Sequence, residues 1–127
     1  MAETVLAREV FDRLRQATAG DSGVLAELCR EYVGEARATI VNLRTALSEG
    51  NAAEFRERAH YLKGSSMMIG AKHLSQYCAT LEEMGKRSDL TAAPPVVEQA
   101  AAALRAVEEE LTRDLGPVAL PAEGSAA

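Results

Sequence analysis

Residues 51–70 of the chain read NAAEFRERAHYLKGSSMMIG, a pattern typical of one amphipathic helix with defined ends. Asn51 with Glu54 three residues later is a helix start signal, because the two side chains can satisfy free backbone N–H groups. Gly70 marks the end. At about 100° per residue, one face carries the apolar side chains, which are Phe55, Ala59, Leu62, Ser66 and Ile69. The opposite face carries His60, so the sequence predicts an exposed histidine on a half-buried helix.

The neighbours of His60 suit a histidine that carries a phosphoryl group. Lys63, Gly64 and Met67 lie within about 100° of it around the helix, and Arg56 and Ala53 extend the same stripe backwards. Imidazole is a usable nucleophile near neutral pH. Lys63 offers a compact positive charge to an added phosphoryl group, and a glycine at position 64 leaves the approach of another protein open.

The rest of the chain predicts four more helices and almost no strand. Aromatic residues make up only 4% of the chain and Trp is absent, which favours packed helices over sheets. The helices are expected at about residues 4–17, at 23–48 with Asp21 or Ser22 as cap, from 71 to between 85 and 88, and from Thr91, as cap, to Gly116. Gly34, inside the second, is either a close packing point or simply tolerated. We therefore expect an all-α fold: an up-down antiparallel four-helix bundle with a short additional N-terminal helix. Residues 1–116 form this domain and residues 117–127 a disordered tail.

Charge and hydropathy exclude several classes of partner. The formal net charge is −5, without a basic stripe, so we expect no nucleic-acid binding. Arg56, Arg58 and Lys63 make the surroundings of His60 locally positive. The acidic run of residues 108–110 with Asp114 is interpreted as a solvated helix face.

The chain also carries no signal that directs it to a membrane. No apolar run approaches the roughly 20 residues that cross a bilayer, and the first residues lack the features of a signal peptide. We expect a cytoplasmic protein in which Cys29 and Cys78 are buried, reduced thiols. A complete bundle in one chain favours a monomer.

Several motifs together resemble the histidine-containing phosphotransfer (HPt) domain. The core is His60-x-x-Lys63-Gly64-Ser65-Ser66, and the resemblance extends over roughly residues 5–112. Further matching positions are Ala46, Leu47, Gly50, Asn51, Ala59, Gly70, Leu74, Cys78, Leu81, Glu82 and Gly85. The resemblance implies a phosphorelay intermediate that accepts a phosphoryl group from a sensor kinase or a receiver-domain aspartate and passes it to a response-regulator receiver. The implied partners are receiver domains of response regulators and of hybrid histidine kinases.

The resemblance also implies a role for individual residues. His60 matches the phosphorylated histidine, Lys63 the lysine that steadies the phosphoryl group, and Gly64 the glycine that keeps access open. Glu82 matches the residue that orients the imidazole; many members have Gln there, whereas the phosphotransfer domains of chemotaxis kinases have Glu. A carboxylate at this place would accept a hydrogen bond from Nδ1–H and leave Nε2 free to attack.

The missing parts of the chemistry are expected to come from the partner. The sequence has no nucleotide-binding loop, so we expect a phosphocarrier without kinase activity of its own. We expect no cofactor and no metal in this chain, and Mg²⁺ supplied by the receiver domain. Ala53, Arg56 and Met67 are predicted docking residues; for Met67 the alternative is a partly shielded residue near the helix end.

Two other interpretations of the sequence are a metal site and an interaction module. Glu57 and His60 form a Glu-x-x-His pair of the kind that binds metals in ferritin-like bundles, but this needs a second such pair. The other histidine is His73, and the position three residues before it is Gly70, so the di-metal interpretation fails. The remaining alternative is a non-catalytic helical-bundle interaction module that binds signalling partners.

Overall fold

The structure is a computed structural model that describes residues 5–117. It contains five helices, and within the described range the only β-type pairing is an isolated bridge between Leu6 and Ala71. The helices are α1 (Arg8–Ala17), α2 (Ser22–Glu49), α3 (Ala52–Ile69), α4 (Lys72–Lys86) and α5 (Ala93–Leu115). None of them is both long enough and apolar enough to cross a membrane. The predicted tail, apart from Pro117, lies outside the described residues.

Helices α2–α5 form the predicted antiparallel bundle, and side-chain pairs show the register of each contact. Tyr32 of α2 is hydrogen-bonded to Ser66 of α3, with 2.7 Å between the two hydroxyl oxygens. The Arg37 and Arg44 side chains of α2 form ion pairs with Glu108 and Glu98 of α5. With the bond from Tyr61 of α3 to Glu35 of α2, rising residue numbers on α2 meet falling numbers on both α3 and α5, so these neighbours are antiparallel.

The core confirms the predicted helix faces. All five residues predicted for the buried face of α3 are buried. Helical spacing also predicts an apolar stripe on the last helix, and its members are all buried: Val97, Ala100, Leu104, Val107 and Leu111. Both cysteines are buried, and this burial raises the pKa of Cys29 to about 11 and that of Cys78 to about 12. A Cβ at Gly34 would meet nothing within 4 Å, so this glycine is tolerated rather than required for packing.

The predicted first helix begins too early in the sequence. The structure starts α1 at Arg8; Ala7 before it is extended, and Leu6 forms the isolated bridge with Ala71. The backbone N–H of Ala7 donates to the carbonyl of Gly70 (2.8 Å), and that of Val5 donates to the carboxylate of Glu110 (3.2 Å). These long-range bonds hold the segment against Gly70 and α5, and Leu6 between them is completely buried.

Helix caps were predicted correctly at two of three starts. The Asp21 carboxylate accepts from the backbone N–H groups of Gly23 and Val24 at 3.0 and 3.1 Å. The Asn51 side chain accepts from the N–H of Glu54 at 3.1 Å. The return bond of a capping box is replaced, because the N–H of Asn51 donates to the carbonyl of Ala46. This uses up an orphan carbonyl at the end of α2.

The predicted cap of the last helix is wrong. Ala92 occupies the cap position of α5 without a side-chain bond, and Thr91 belongs to the preceding turn. The N–H of Thr91 donates to the carboxylate of Asp89 at 3.2 Å. Pro94 and Pro95 lie in the first turn, where a missing N–H costs little, so the helix starts without a polar cap.

The interpretation of the acidic run as a solvated face is wrong for two of its members. Glu108 accepts two hydrogen bonds from the guanidinium group of Arg37, at 3.2 and 2.6 Å. Glu110 is buried and forms an ion pair with Arg8, which also pairs with Asp114. These carboxylates therefore hold α2 and the N-terminal segment against α5.

Candidate functional site

His60 stands at the middle of α3 on the face that points away from the core. Its side chain is 69% exposed, whereas the flanking core positions Ala59 and Leu62 are fully buried. The buried face fixes the rotation of α3, so the exposure of His60 follows from the packing of the helix. A molecule approaching from solvent can reach the imidazole.

Glu82 of α4 lies in contact with the imidazole of His60. Its Oε2 lies 2.8 Å from Nδ1 of His60, which is hydrogen-bonding distance. The carboxylate side chain is only 19% exposed and thus held by its surroundings. A carboxylate accepts hydrogen bonds and donates none, so the proton belongs on Nδ1 and the lone pair on Nε2. The nucleophilic nitrogen is then the one directed away from Glu82.

Lys63 contacts the other oxygen of the same carboxylate. Its Nζ lies 2.6 Å from Oε1 of Glu82, one turn along α3 from His60. This contact is the main reason why the pKa of Glu82 lies below its usual range, and the hydrogen bond to His60 lowers it further. The carboxylate therefore stays ionised at neutral pH. In this structure the Lys63 ammonium group contacts Glu82. Its contact with a phosphoryl group stays a prediction.

Gly64 leaves an opening beside His60 that the fold does not require. A Cβ at this position would meet nothing within 4 Å. The next residue, Ser65, bonds within its own helix to the carbonyl of Leu62, so it takes no part in the site. The space above Gly64 is therefore available to a partner.

The predicted docking residues fall into two adjacent depressions. Ala53 and Arg56 line a cleft together with His60 and Glu82, with Glu57 and Arg58 at its sides. Met67 is 59% exposed and lies in a neighbouring apolar cavity that also includes Lys63. Ala7 and Val10 also line this cavity, although no motif in the sequence connects them with the site. Residue spacing within one helix does not show that this segment reaches α3.

The second histidine lies elsewhere. His73 lines a groove between α4 and α5 with Leu74 and Tyr77. Across residues 5–117, no three or more His, Cys, Asp or Glu side chains are grouped so that they could hold a metal ion.

Comparisons with known proteins agree with this geometry. The model of the Hpt domain family matches residues 27–112. Among solved structures, the histidine-containing phosphotransfer protein HptB from Pseudomonas aeruginosa PAO1 is 27% identical, with a TM-score of 0.82 over 89% of this chain and 96% of that one. The yeast phosphorelay protein YPD1 is 13% identical, with a TM-score of 0.79 over 89% and 96%.

A second yeast structure contains a partner. It is the co-crystal of the Saccharomyces cerevisiae histidine phosphotransfer signalling protein Ypd1 with the receiver domain of its downstream response regulator Ssk1. That protein is 14% identical, with a TM-score of 0.79 over 93% of this chain and 99% of the other, a likeness that shows the shared fold. No curated protein sequence matches this chain.

Proposed function

Since the chain belongs to the Hpt domain family, we propose that it is a phosphorelay intermediate that carries a phosphoryl group on His60. The single observation that supports this assignment best is the exposed imidazole with its Nδ1 on the Glu82 carboxylate. A merely structural histidine needs no such exposure, and a surface histidine without function needs no fixed tautomer.

The transfer step follows from the tautomer. Nε2 attacks the phosphorus of an aspartyl phosphate; the N–P bond forms as the P–O bond to the aspartate breaks, and the aspartate leaves as a carboxylate. The imidazole keeps its proton on Nδ1 and becomes positively charged, next to the negative carboxylate of Glu82. In the forward direction of the relay, the aspartate of the next receiver attacks the same phosphorus and His60 returns to its neutral form.

Once His60 is phosphorylated, the Lys63 ammonium group lies near two anions, the Glu82 carboxylate and the phosphoryl group. This ammonium group lies one turn from the histidine and already neutralises Glu82. A phosphoryl group on Nε2 adds further negative charge to the same face, and a flexible lysine with three donors can contact both. Lys63 thus keeps Glu82 ionised before transfer and steadies the phosphoryl group afterwards.

The partners in this proposal are receiver domains of response regulators and of hybrid histidine kinases. They dock over Gly64, with Ala53, Arg56 and Met67 at the contact, and they supply Mg²⁺ and the aspartate. The chain acts in the cytoplasm as a monomeric phosphocarrier, with residues 1–116 as the domain. The co-crystal of Ypd1 with the Ssk1 receiver domain supports a partner of this class, because Ypd1 has the same fold as this chain and binds a receiver domain there.

The experiment is phosphoryl transfer from phosphorylated receivers and from sensor kinases of the same organism, screened one by one. The wild type should gain phosphate that is labile in acid and stable in alkali, as expected for a phosphoramidate bond. The His60→Gln variant should gain none. The chain has two histidines, so His73→Gln is the matched control and should accept phosphate normally.

Two results would contradict the proposal. Label that persists in His60→Gln would place the phosphate on another residue. Absence of transfer with every donor tried, from a folded wild-type protein, would favour the interaction module instead.

A further inference from the structure

Gly85 makes a close helix–helix contact beside the site. A Cβ built on this buried glycine would lie 2.8 Å from the Cβ of Arg56 and 2.9 Å from both the Cα and the backbone nitrogen of the same residue. Carbon atoms in contact normally stay about 3.5–4 Å apart. Two of the three obstructing atoms belong to the backbone, so a side chain at position 85 could be accommodated only by moving α4 away from α3.

This contact lies one helical turn from the His60–Glu82 hydrogen bond. Gly85 follows Glu82 by three residues on α4, and Arg56 precedes His60 by four on α3. Because the two helices are antiparallel, the two contacts are neighbours along the same interface. The spacing of the helices at Gly85 is therefore transmitted almost unchanged to the pair above it.

We propose that Gly85 is a positioning residue, whose missing side chain sets the distance between α3 and α4 at which the Glu82 carboxylate reaches Nδ1 of His60. The inference deepens the proposed function and rests on it for the role of the imidazole. The bond measures 2.8 Å and hydrogen bonds weaken steeply beyond about 3.2 Å. A helix shift of about 1 Å, which an added Cβ demands, exceeds that margin.

The same helix shift should leave the ion pair between Lys63 and Glu82 intact. The long side chain of Lys63 is flexible and can follow Glu82 over this distance, while the imidazole is held close to the α3 backbone by a short stem. The expected defect is therefore loss of the fixed tautomer of His60, with the Lys63–Glu82 ion pair retained.

The test is Gly85→Ala, followed by ¹⁵N NMR of the imidazole nitrogens. In the wild type the proton should reside on Nδ1. In the variant it should move largely to Nε2, the tautomer that an unconstrained histidine prefers in water. Phosphoryl transfer should fall by roughly ten- to a hundredfold, the usual effect of misplacing a reacting group by about 1 Å. Gly34→Ala is the matched control, since a Cβ there meets open space, and it should leave both readings unchanged.

A double-mutant cycle distinguishes a purely structural role of Gly85 from a positioning role that acts through Glu82. If Gly85 acts through Glu82, adding Gly85→Ala to Glu82→Ala should cause no further loss of transfer, because the pair is already broken. Additive losses would overturn the proposal. So would an unchanged tautomer in folded Gly85→Ala.

Glu82→Asp keeps the proposal testable if Gly85→Ala does not fold. It leaves the helix contact intact and withdraws the carboxylate by one methylene, so His60 should lose its Nδ1 tautomer at native helix spacing. Retention of the tautomer would show that the spacing is not critical and would overturn the inference. The NMR reading needs no phosphoryl donor, so it stands or falls separately from the proposed function.

Discussion

A single carboxylate on α4 contacts two candidate site residues of α3, His60 and Lys63. Glu82 accepts a hydrogen bond from the His60 ring with one oxygen and forms an ion pair with the Lys63 ammonium through the other. The lysine is the larger cause of the lowered pKa of Glu82, and the histidine the smaller. The hydrogen bond to His60 and the ion pair with Lys63 therefore both depend on one ionised carboxylate.

This coupling predicts a pH dependence of stability. A carboxylate whose pKa is lower in the folded state stabilises the fold at pH values above its unfolded pKa of about 4.3, and this contribution is lost as the pH falls through the lower folded value. Glu82→Gln should therefore unfold more easily than the wild type by about 1 kcal/mol near neutral pH. The difference should shrink below about pH 4. Denaturant unfolding from about pH 3 to 7 measures it, and a difference that stays constant with pH would contradict this role of Glu82.

A second prediction concerns the docking surface. Met67→Glu places a charge in the apolar cavity next to Lys63, where burial against a receiver would be costly. We expect transfer from a phosphorylated receiver to slow by about tenfold or more. Phosphorylation by a small donor such as phosphoramidate should be unchanged, because it needs no docking. Equal loss with both donors would indicate damage to His60 itself.

The control for this charge is Val41→Glu. Val41 is also an apolar side chain exposed to a similar extent, 56%, but it lies on the groove between α2 and α5. It should leave transfer from the receiver unchanged. A comparable loss would mean that general surface charge, rather than the Met67 position, governs docking.

The spacing of apolar residues and the capping residues predict the helices, but they do not predict every residue at which a helix begins. The face of α3 and the cap at Asn51 follow from spacing and short-range bonds, both visible in the sequence. The start of α1 does not. Leu6 has an apolar phase consistent with a helix, yet its segment is extended because the neighbouring backbone bonds to Gly70 and Glu110, which are distant in the sequence.

The candidate site shows the same division between local and distant information. The exposure of His60 and its closeness to Lys63 follow from the period of one helix. The partnership with Glu82 was inferred from the family resemblance, because it depends on how α4 packs on α3. That register is fixed by tertiary contacts such as Gly85 against Arg56. The spacing of residues within either helix does not indicate these contacts.

In the bundle as a whole, the helices are connected by different kinds of contact. The α2–α5 interface carries two arginine–carboxylate pairs, whereas α2 and α3 share the buried Tyr32–Ser66 hydrogen bond. Around these polar contacts lies one continuous apolar core to which all five helices contribute. We therefore expect the bundle to open as one cooperative unit, with the site on an otherwise rigid frame.

The two cysteines test that expectation because they lie on different helices. Cys29 in α2 and Cys78 in α4 are both 0% exposed, and burial raises their pKa values to about 11 and about 12, so few thiolates exist at about pH 8. Labelling by a disulfide reagent should therefore require opening of the bundle. In the single-cysteine variants Cys29→Ala and Cys78→Ala, the remaining thiol should react at rates that correspond to the same opening free energy, and denaturant should accelerate both equally. Much faster labelling of Cys78 alone would show that α4 detaches separately, and the fixed distance between Glu82 and His60 would then hold for only part of the time.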